Sequence, residues 1–405
     1  MLRRLDPQIE KAHSERVIYL DSNATTQIDP AVVESMLPFL RGHWENPSSL
    51  THGGRKVHGA IELAREQVAF LLKAETEEIH FNSGATEGCN AVIASAQMAR
   101  PDRPRLIISS TEHPAVLEPA RRWQSLGGLL SVVPVNADGV PELDVLSEVL
   151  AKGDTALVSF MLANNETGVL SPLSEITRIA HEFGTWVHTD AVQAIGKMDV
   201  DVRSLGVDFL TLSGHKFHAP KGVGALFIRR HTRFVPFILG GGQENGRRSG
   251  TENVASIIGL GTAAEIAAHK DPSSVTRLRD AFEEQILTRL PDVQVHGGSA
   301  PRLGNTSSLY LPNADAAGML ILLDEKGIAC SAGSACHSAA LHPSHVLEAM
   351  GIGIEEANRT LRFSFSRFNT LDQVTQAADQ VCRQAEKLRS LSSAESGPVV
   401  VSGPQ

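Results

Sequence analysis

The feature that most constrains this chain is an alternation of two periodicities. Between residues 17 and 230, short apolar runs recur: EIHF (78–81), RLIIS (105–109), LLSVVPV (129–135), TALVSF (155–160), WVHTD (186–190), DFLTLS (208–213) and GALFIR (224–229). Between them lie segments such as 56–72 and 87–99, whose apolar residues return every three or four positions. Buried strands alternating with amphipathic helices make βαβ units, so the pattern predicts an α/β fold with a mainly parallel, seven-stranded sheet and helices on both faces. A chain of 405 residues can bury such a core without disulfides or metals, which excludes collagenous, coiled-coil and small stapled folds.

From about residue 253 the pattern changes. Helical stretches at 253–269 and 273–290 lead into VQVHG, SSLYL, a helix near 314–326 and LRFSF at 361–365, a mixture that suggests a smaller α+β domain. The expected division is a large domain over 17–262, a small one from 1–16 and 263–392, and a disordered Ser/Gly/Pro-rich tail over 393–405. With 46 acidic against 37 basic side chains, the net charge of -9 argues against a nucleic-acid binder. No apolar stretch is long enough to span a membrane, and the start MLRRLDPQIEKAHSER lacks the apolar core of a signal peptide, so the cytoplasm is the expected compartment. Cys89, Cys330, Cys336 and Cys382 are too few and scattered for a disulfide framework.

Ligands of open α/β sheets sit beyond the carboxyl ends of the strands, which directs attention to the polar residues after each run. After EIHF comes NSGATEG (82–88), a turn entering a helix with Ala85 and Thr86 at its start; free N–H groups and the helix dipole there suit a phosphate, and equally an ordinary helix cap. After WVHT comes Asp190, with Gln193 three residues on; a carboxylate in that place is either a functional charge or a cap. After DFLTLS comes Lys216, which reads as a desolvated amine able to form a Schiff base, or as a lysine snorkelling from the sheet rim. Together the three segments specify a pyridoxal phosphate site: a lysine for the Schiff base, an Asp for the pyridine nitrogen, and a helix start with Thr and Ser hydroxyls for the phosphate.

The motifs YLDSNATT (19–26), NPSS (46–49), SGATEG (83–88), TEHPAVLEP (111–119), NNETG (164–168), HTDAVQAIGK (188–197), SGHKFHAPKGVGAL (213–226), GGGQENGRRSGTEN (240–253) and SAGSACHS (331–338) appear in order. Over about residues 17–390 the chain resembles the cysteine desulfurases, fold-type I pyridoxal phosphate enzymes, and lies close to the selenocysteine lyases. Ser22 departs from the Tyr more usual there. The resemblance implies that Lys216 carries the cofactor, Asp190 pairs with its pyridine nitrogen, Gln193 bonds its phenolic oxygen, and His113 stacks on the ring and assists proton transfer. It further implies that Ala85, Thr86, Ser213 and His215 hold the phosphate with Thr251 of a second subunit, that Asn165 lies close to the ring, and that Arg362 binds the substrate carboxylate. A planar guanidinium suits that last role, although a strand salt bridge is an equal reading of the segment.

Cys336 lies in SAGSACHSAALHPS, small residues without periodicity, as in a loop carried by the small domain. A free cysteine there could be a small packed hydrophobe. The resemblance makes it the persulfide-forming nucleophile, and Cys89, Cys330 and Cys382 structural thiols. A metal site from Cys330, Cys336, His337, His342 and His345 fits no common zinc spacing, and none is expected. The implied reaction converts L-cysteine to alanine and an enzyme persulfide. MLANNETG and the Cys336-His337 pair also look like selenocysteine lyase, leaving release of selenium from L-selenocysteine as the alternative. An aminotransferase of the same fold and a non-catalytic scaffold are the more distant readings. The family implies a homodimer and a protein acceptor for the sulfur. In members serving iron–sulfur cluster biogenesis the C-terminal segment contacts a scaffold, and SAESGPVVVSGPQ shows no match to that pattern.

Overall fold

The computed structural model describes residues 17–332 and 344–395, the last four as backbone alone. Residues 1–16, the 333–343 segment containing Cys336, and 396–405 lie outside the described residues. The chain divides into two compact units, Asn23–Pro272 with Gly297–Leu303, and the described parts of 1–22, Ser273–His296 and 304–405.

The chain opens with β1 (Ile18–Tyr19) of the second unit. The larger unit then begins with α1 (Pro30–Arg41), where Asp29 accepts from the Ala31 N–H and Pro30 takes the first helical turn, a position that needs no amide donor. Next comes α2 (His52–Leu72), capped by Thr51. This helix starts four residues earlier than its periodicity indicates, because His52-Gly53-Gly54 reads as a breaker. Gly54 is there for space: a Cβ would sit 2.3 Å from the Ser49 carbonyl oxygen.

The sheet and its covering helices follow as β2 (Ile79–Asn82), α3 (Ala85–Ala99), β3 (Arg105–Ser109), α4 (Pro114–Ser125), β4 (Leu129–Val133), α5 (Leu143–Leu150), β5 (Thr155–Ser159), α6 (Leu173–Glu182), β6 (Trp186–Asp190), α7 (Val202–Leu205), β7 (Phe209–Ser213) and β8 (Gly224–Ile228). The seven strands lie in the order β2-β8-β7-β6-β5-β3-β4. Only β8 runs against the rest, antiparallel to both β7 and β2. Strands β5, β7 and β8 are buried at every residue, which is why they read as unbroken apolar runs.

The unit closes with α8 (Val254–Ala268), which packs on α1 and α2. The approach to α2 is close, since a Cβ on Gly261 would meet the Ala64 Cα at 2.6 Å. A boundary at 262 would cut this helix; the units divide at Pro272 instead.

In the smaller unit, α9 (Ser273–Arg289), β9 (Gln294–Val295), β10 (Thr306–Tyr310), α10 (Ala316–Asp324), β11 (Ile328–Ala329), β12 (Ser331–Ala332), α11 (His345–Ala349), α12 (Ile354–Ala357), β13 (Thr360–Ser364) and α13 (Leu371–Glu395) follow in turn. An antiparallel sheet of order β12-β13-β10-β9 stands beside a parallel β1–β11 pair. The core closes on Phe282, whose ring centroid lies 4.8 Å from Phe363 and 5.3 Å from Phe365. Helix α13 continues to Glu395, so residues 393–395 are helical where a tail was expected. Among the described residues no helix is long and apolar enough to cross a membrane.

Candidate active site

The carboxyl ends of β6 and β7 bring the expected charged groups to one edge of the larger unit. Asp190 ends β6, paired in register with Thr211 of β7. It is buried, and its Oδ1 accepts from the Val192 N–H at 2.9 Å, so it does cap the following turn. Burial pushes its carboxyl above the usual range, while His113 and Lys216 pull it back toward the charged form. Lys216 follows β7 on a short turn, and its Nζ donates to the carbonyl oxygens of Asn23 (2.7 Å) and Ala24 (2.8 Å).

His113 occupies the cap position of α4, where its Nδ1 accepts from the Ala115 N–H at 3.1 Å. In the neutral ring that leaves the proton on Nε2. One turn of the pleat below Asp190, His188 is fully buried between Ser159 Oγ (2.8 Å) and Thr211 Oγ1 (3.3 Å). Burial pushes it down to about 3, so it is neutral and links hydroxyls beneath the site.

The third corner is the start of α3. Its cap residue is Gly84, at φ 145° and with no side chain to satisfy the first-turn amides. The preceding turn is tied off separately: Ser83 donates to Glu87 through N–H (3.1 Å) and Oγ (2.6 Å), and the Gly84 N–H donates to Asn82 Oδ1 (3.0 Å). A Cβ on Gly88 would fall 2.6 Å from Thr211 Cγ2, so glycine lets α3 lie close to β7. Ser213 Oγ lies 3.6 Å from where a Gly84 Cβ would be, which places this hydroxyl beside the cap residue of α3. His215 Nδ1 shares a hydrogen bond with Thr25 Oγ1 at 3.1 Å, and burial together with Lys216, Lys221 and Lys197 pushes it down to about 4. Uncapped amides, a hydroxyl and neighbouring cations form a donor set that fits a phosphate.

The class-V aminotransferase family model matches residues 18–376. The chain is 44% identical over 379 residues to a cysteine desulfurase of Nostoc sp., covering 93% of this chain and 94% of that protein. It is 44% identical over 391 residues to the cysteine desulfurase NifS of Azotobacter vinelandii, covering 96% and 97%. The chain belongs to the cysteine desulfurase family of class-V aminotransferases. Among solved structures, a NifS-like protein superposes with a TM-score of 0.84 at 36% identity, over 92% of this chain and all 100% of that one. SspA, solved in complex with cysteine, gives 0.78 at 33% identity over 87% and 99%. The family depends on pyridoxal phosphate, and the lysine, buried carboxylate and uncapped helix start of the larger unit fit that cofactor's aldehyde, pyridine nitrogen and phosphate.

Other expected residues of this cysteine desulfurase-family chain are placed less closely. Asn165 joins the Lys216 neighbourhood through its carbonyl, which accepts from Asn23 Nδ2 at 3.2 Å. Thr251 is exposed on the segment before α8, anchored near α3 by Arg248 Nε donating to Glu87 Oε1 at 3.0 Å. Arg362 lies on β13 of the smaller unit, where it is 2% exposed and its Nη2 pairs with Asp21 Oδ1 at 2.8 Å. Cys336 lies outside the described residues. Cys89 in α3 and Cys382 in α13 are buried, and burial pushes half-buried Cys330 up to about 12, so none of the three is a ready thiolate.

Two residues without a role in the sequence reading stand at the centre of this arrangement. The Asn23 carbonyl accepts from Lys216 Nζ and, at 3.0 Å, from Gln193 Nε2, and its side-chain oxygen accepts from Lys197 Nζ at 2.9 Å. Both lie inside quoted motifs, YLDSNATT and HTDAVQAIGK, but a contact across 174 positions leaves no local periodicity to find it by.

Proposed function

We propose that the chain removes sulfur from L-cysteine, releasing alanine and leaving a persulfide on Cys336. The observation that carries this reading is the placement of Asp190 at the end of β6 and of Lys216 on the turn after neighbouring β7, in a chain aligned over 93% of its length with cysteine desulfurases. A solved neighbour holding cysteine supports the substrate class.

Pyridoxal phosphate, held covalently by Lys216, supplies an electron sink for the bonding pair of the substrate Cα–H bond and so weakens the bond from Cβ to sulfur. Asp190, destabilised by burial, would hold the pyridine nitrogen and favour its protonated form. Lys216 would take the Cα proton, its Nζ oriented by the carbonyls of Asn23 and Ala24. His113 would lie against the ring and move protons at Nε2, its Nδ1 being occupied by the α4 cap. Gln193 and Asn165 border the ring. Ala85, Thr86, Ser213 and His215 take the phosphate, joined by Thr251 of a second copy, which makes the working unit a homodimer. Arg362 receives the substrate carboxylate through two parallel hydrogen bonds. The Cys336 thiolate attacks the substrate sulfur, forming the S–S bond as the Cβ–S bond breaks. The persulfide then passes to an acceptor protein in the cytoplasm.

The test is a single assay of alanine formed from L-cysteine and from L-selenocysteine, with wild type and Cys336→Ser. Alanine and enzyme-bound persulfide from L-cysteine, both lost in Cys336→Ser, are expected. Turnover of L-selenocysteine alone would make the chain a selenocysteine lyase. Wild-type sulfur release by Cys336→Ser would remove the thiol from the mechanism.

A further inference from the structure

We propose that Lys197 is a positioning residue that fixes which end of the Gln193 side-chain amide is offered to the cofactor. The two ends of a glutamine amide have nearly the same shape but opposite hydrogen-bonding character. Gln193 is buried, so the choice falls to its neighbours. Lys197 Nζ lies 2.5 Å from Gln193 Oε1 and 2.9 Å from Asn23 Oδ1. An ammonium group has three donors and no acceptor, and can face only the oxygen of each amide.

One cation therefore sets two amides. With Oε1 held by Lys197, the Gln193 NH₂ group turns the other way and donates to the Asn23 carbonyl, the same oxygen that accepts from Lys216. With its Oδ1 held by Lys197, Asn23 directs Nδ2 to the Asn165 carbonyl. The NH₂ end of Gln193 is thereby kept among the groups around Lys216, where it can donate to an anionic oxygen. Without Lys197 only the Asn23 carbonyl still orders the amide, so the flipped form becomes more accessible, and a carbonyl facing a phenolic oxygen would favour the protonated phenol.

This inference rests on the pyridoxal phosphate reading above, and its readout is spectroscopic. The apo-chain is titrated with pyridoxal phosphate, and the pH midpoint of the bound cofactor's visible band is measured for wild type, Lys197→Met, Lys197→Arg and the same Lys197→Met change in a Gln193→Leu background. Lys197→Met is expected to raise the midpoint by about one pH unit and weaken cofactor binding about tenfold, the loss of one hydrogen bond to a charged group. Lys197→Arg, which still donates to both oxygens, restores most of the midpoint. In the Gln193→Leu background, Lys197→Met adds little, because the amide it acts through is gone. The thermal midpoints of the apo-chains show that each variant folds. An unshifted Lys197→Met midpoint, or an equal shift without Gln193, overturns the positioning role while leaving the cofactor reading intact. A wild-type chain that forms no visible band overturns both.

Discussion

Lys216 with Asp190 in the larger unit and Arg362 in the smaller one are charged groups taken out of water in opposite ways. The Lys216 ammonium donates to two backbone carbonyls, and the Asp190 carboxylate accepts from a backbone N–H while His113 and Lys216 act on it electrostatically. Arg362, 2% exposed, has its counter-ion built in, with Asp21 at 2.8 Å. A charge held by neutral dipoles keeps its pKa open to whatever ligand arrives, whereas a charge held by an ion pair is fixed in state and direction. The first arrangement suits groups that exchange protons or bonds, and the second a group that only recognises shape. Removing Lys216 should therefore do the greatest damage. Lys216→Ala is expected to abolish the visible cofactor band and lower the rate of alanine formation by about 10³-fold or more. Retention of the band would show that another amine holds the cofactor.

How much of this contrast could be read in advance depended on how local it was. RLIIS matches β3 residue for residue, because a strand covered on both faces reads as an apolar run, and WVHTD matches β6 although its last three residues are polar. Asp190, Lys216 and the Gly84 turn were legible for the same reason, since each directly follows such a run. The reversed direction of β8 was not, as a buried strand has the same composition whichever way it runs. The start of α2 was hidden by glycines needed for a close approach, and the end of α13 by serines that read as a tail. The built-in partner of Arg362 was invisible because Asp21 lies 341 positions away, and the Asn23–Lys197 contact for the same physical reason.

If Arg362 is a recognition group, its planarity matters more than its charge. Arg362→Lys keeps the charge but cannot bond Asp21 and a substrate carboxylate in a fixed fork. The KM for L-cysteine is expected to rise about 10- to 100-fold, the cost of one charge-assisted hydrogen bond, with the cofactor's visible band unchanged. Steady-state kinetics beside an absorbance spectrum measures both. An unchanged KM, or loss of the band, would make Arg362 a structural residue of the smaller unit.

The smallest effect concerns stability rather than chemistry and sets two residues of one strand against each other. Asp190 sits at the end of β6, whereas His188, on the same face two residues earlier, is sealed under it with its pKa down to about 3. Below the ordinary histidine pKa of about 6.5 the unfolded chain takes up a proton that folded His188 refuses, so folding loses stability as pH falls from about 6.5 toward 3 and is unaffected above that window. The slope due to this one ring approaches about 1.4 kcal/mol per pH unit. His80, which burial also pushes down to about 3, adds a similar slope, so the comparison needs a variant and not the wild type alone. Urea midpoints of wild type and His188→Gln, measured between pH 7 and 4, should converge as the pH drops, because glutamine keeps hydrogen-bonding capacity toward Ser159 and Thr211 but has no proton to refuse. Curves that stay parallel would mean that folded His188 titrates normally, and that the layer beneath Asp190 is wetter than its burial implies.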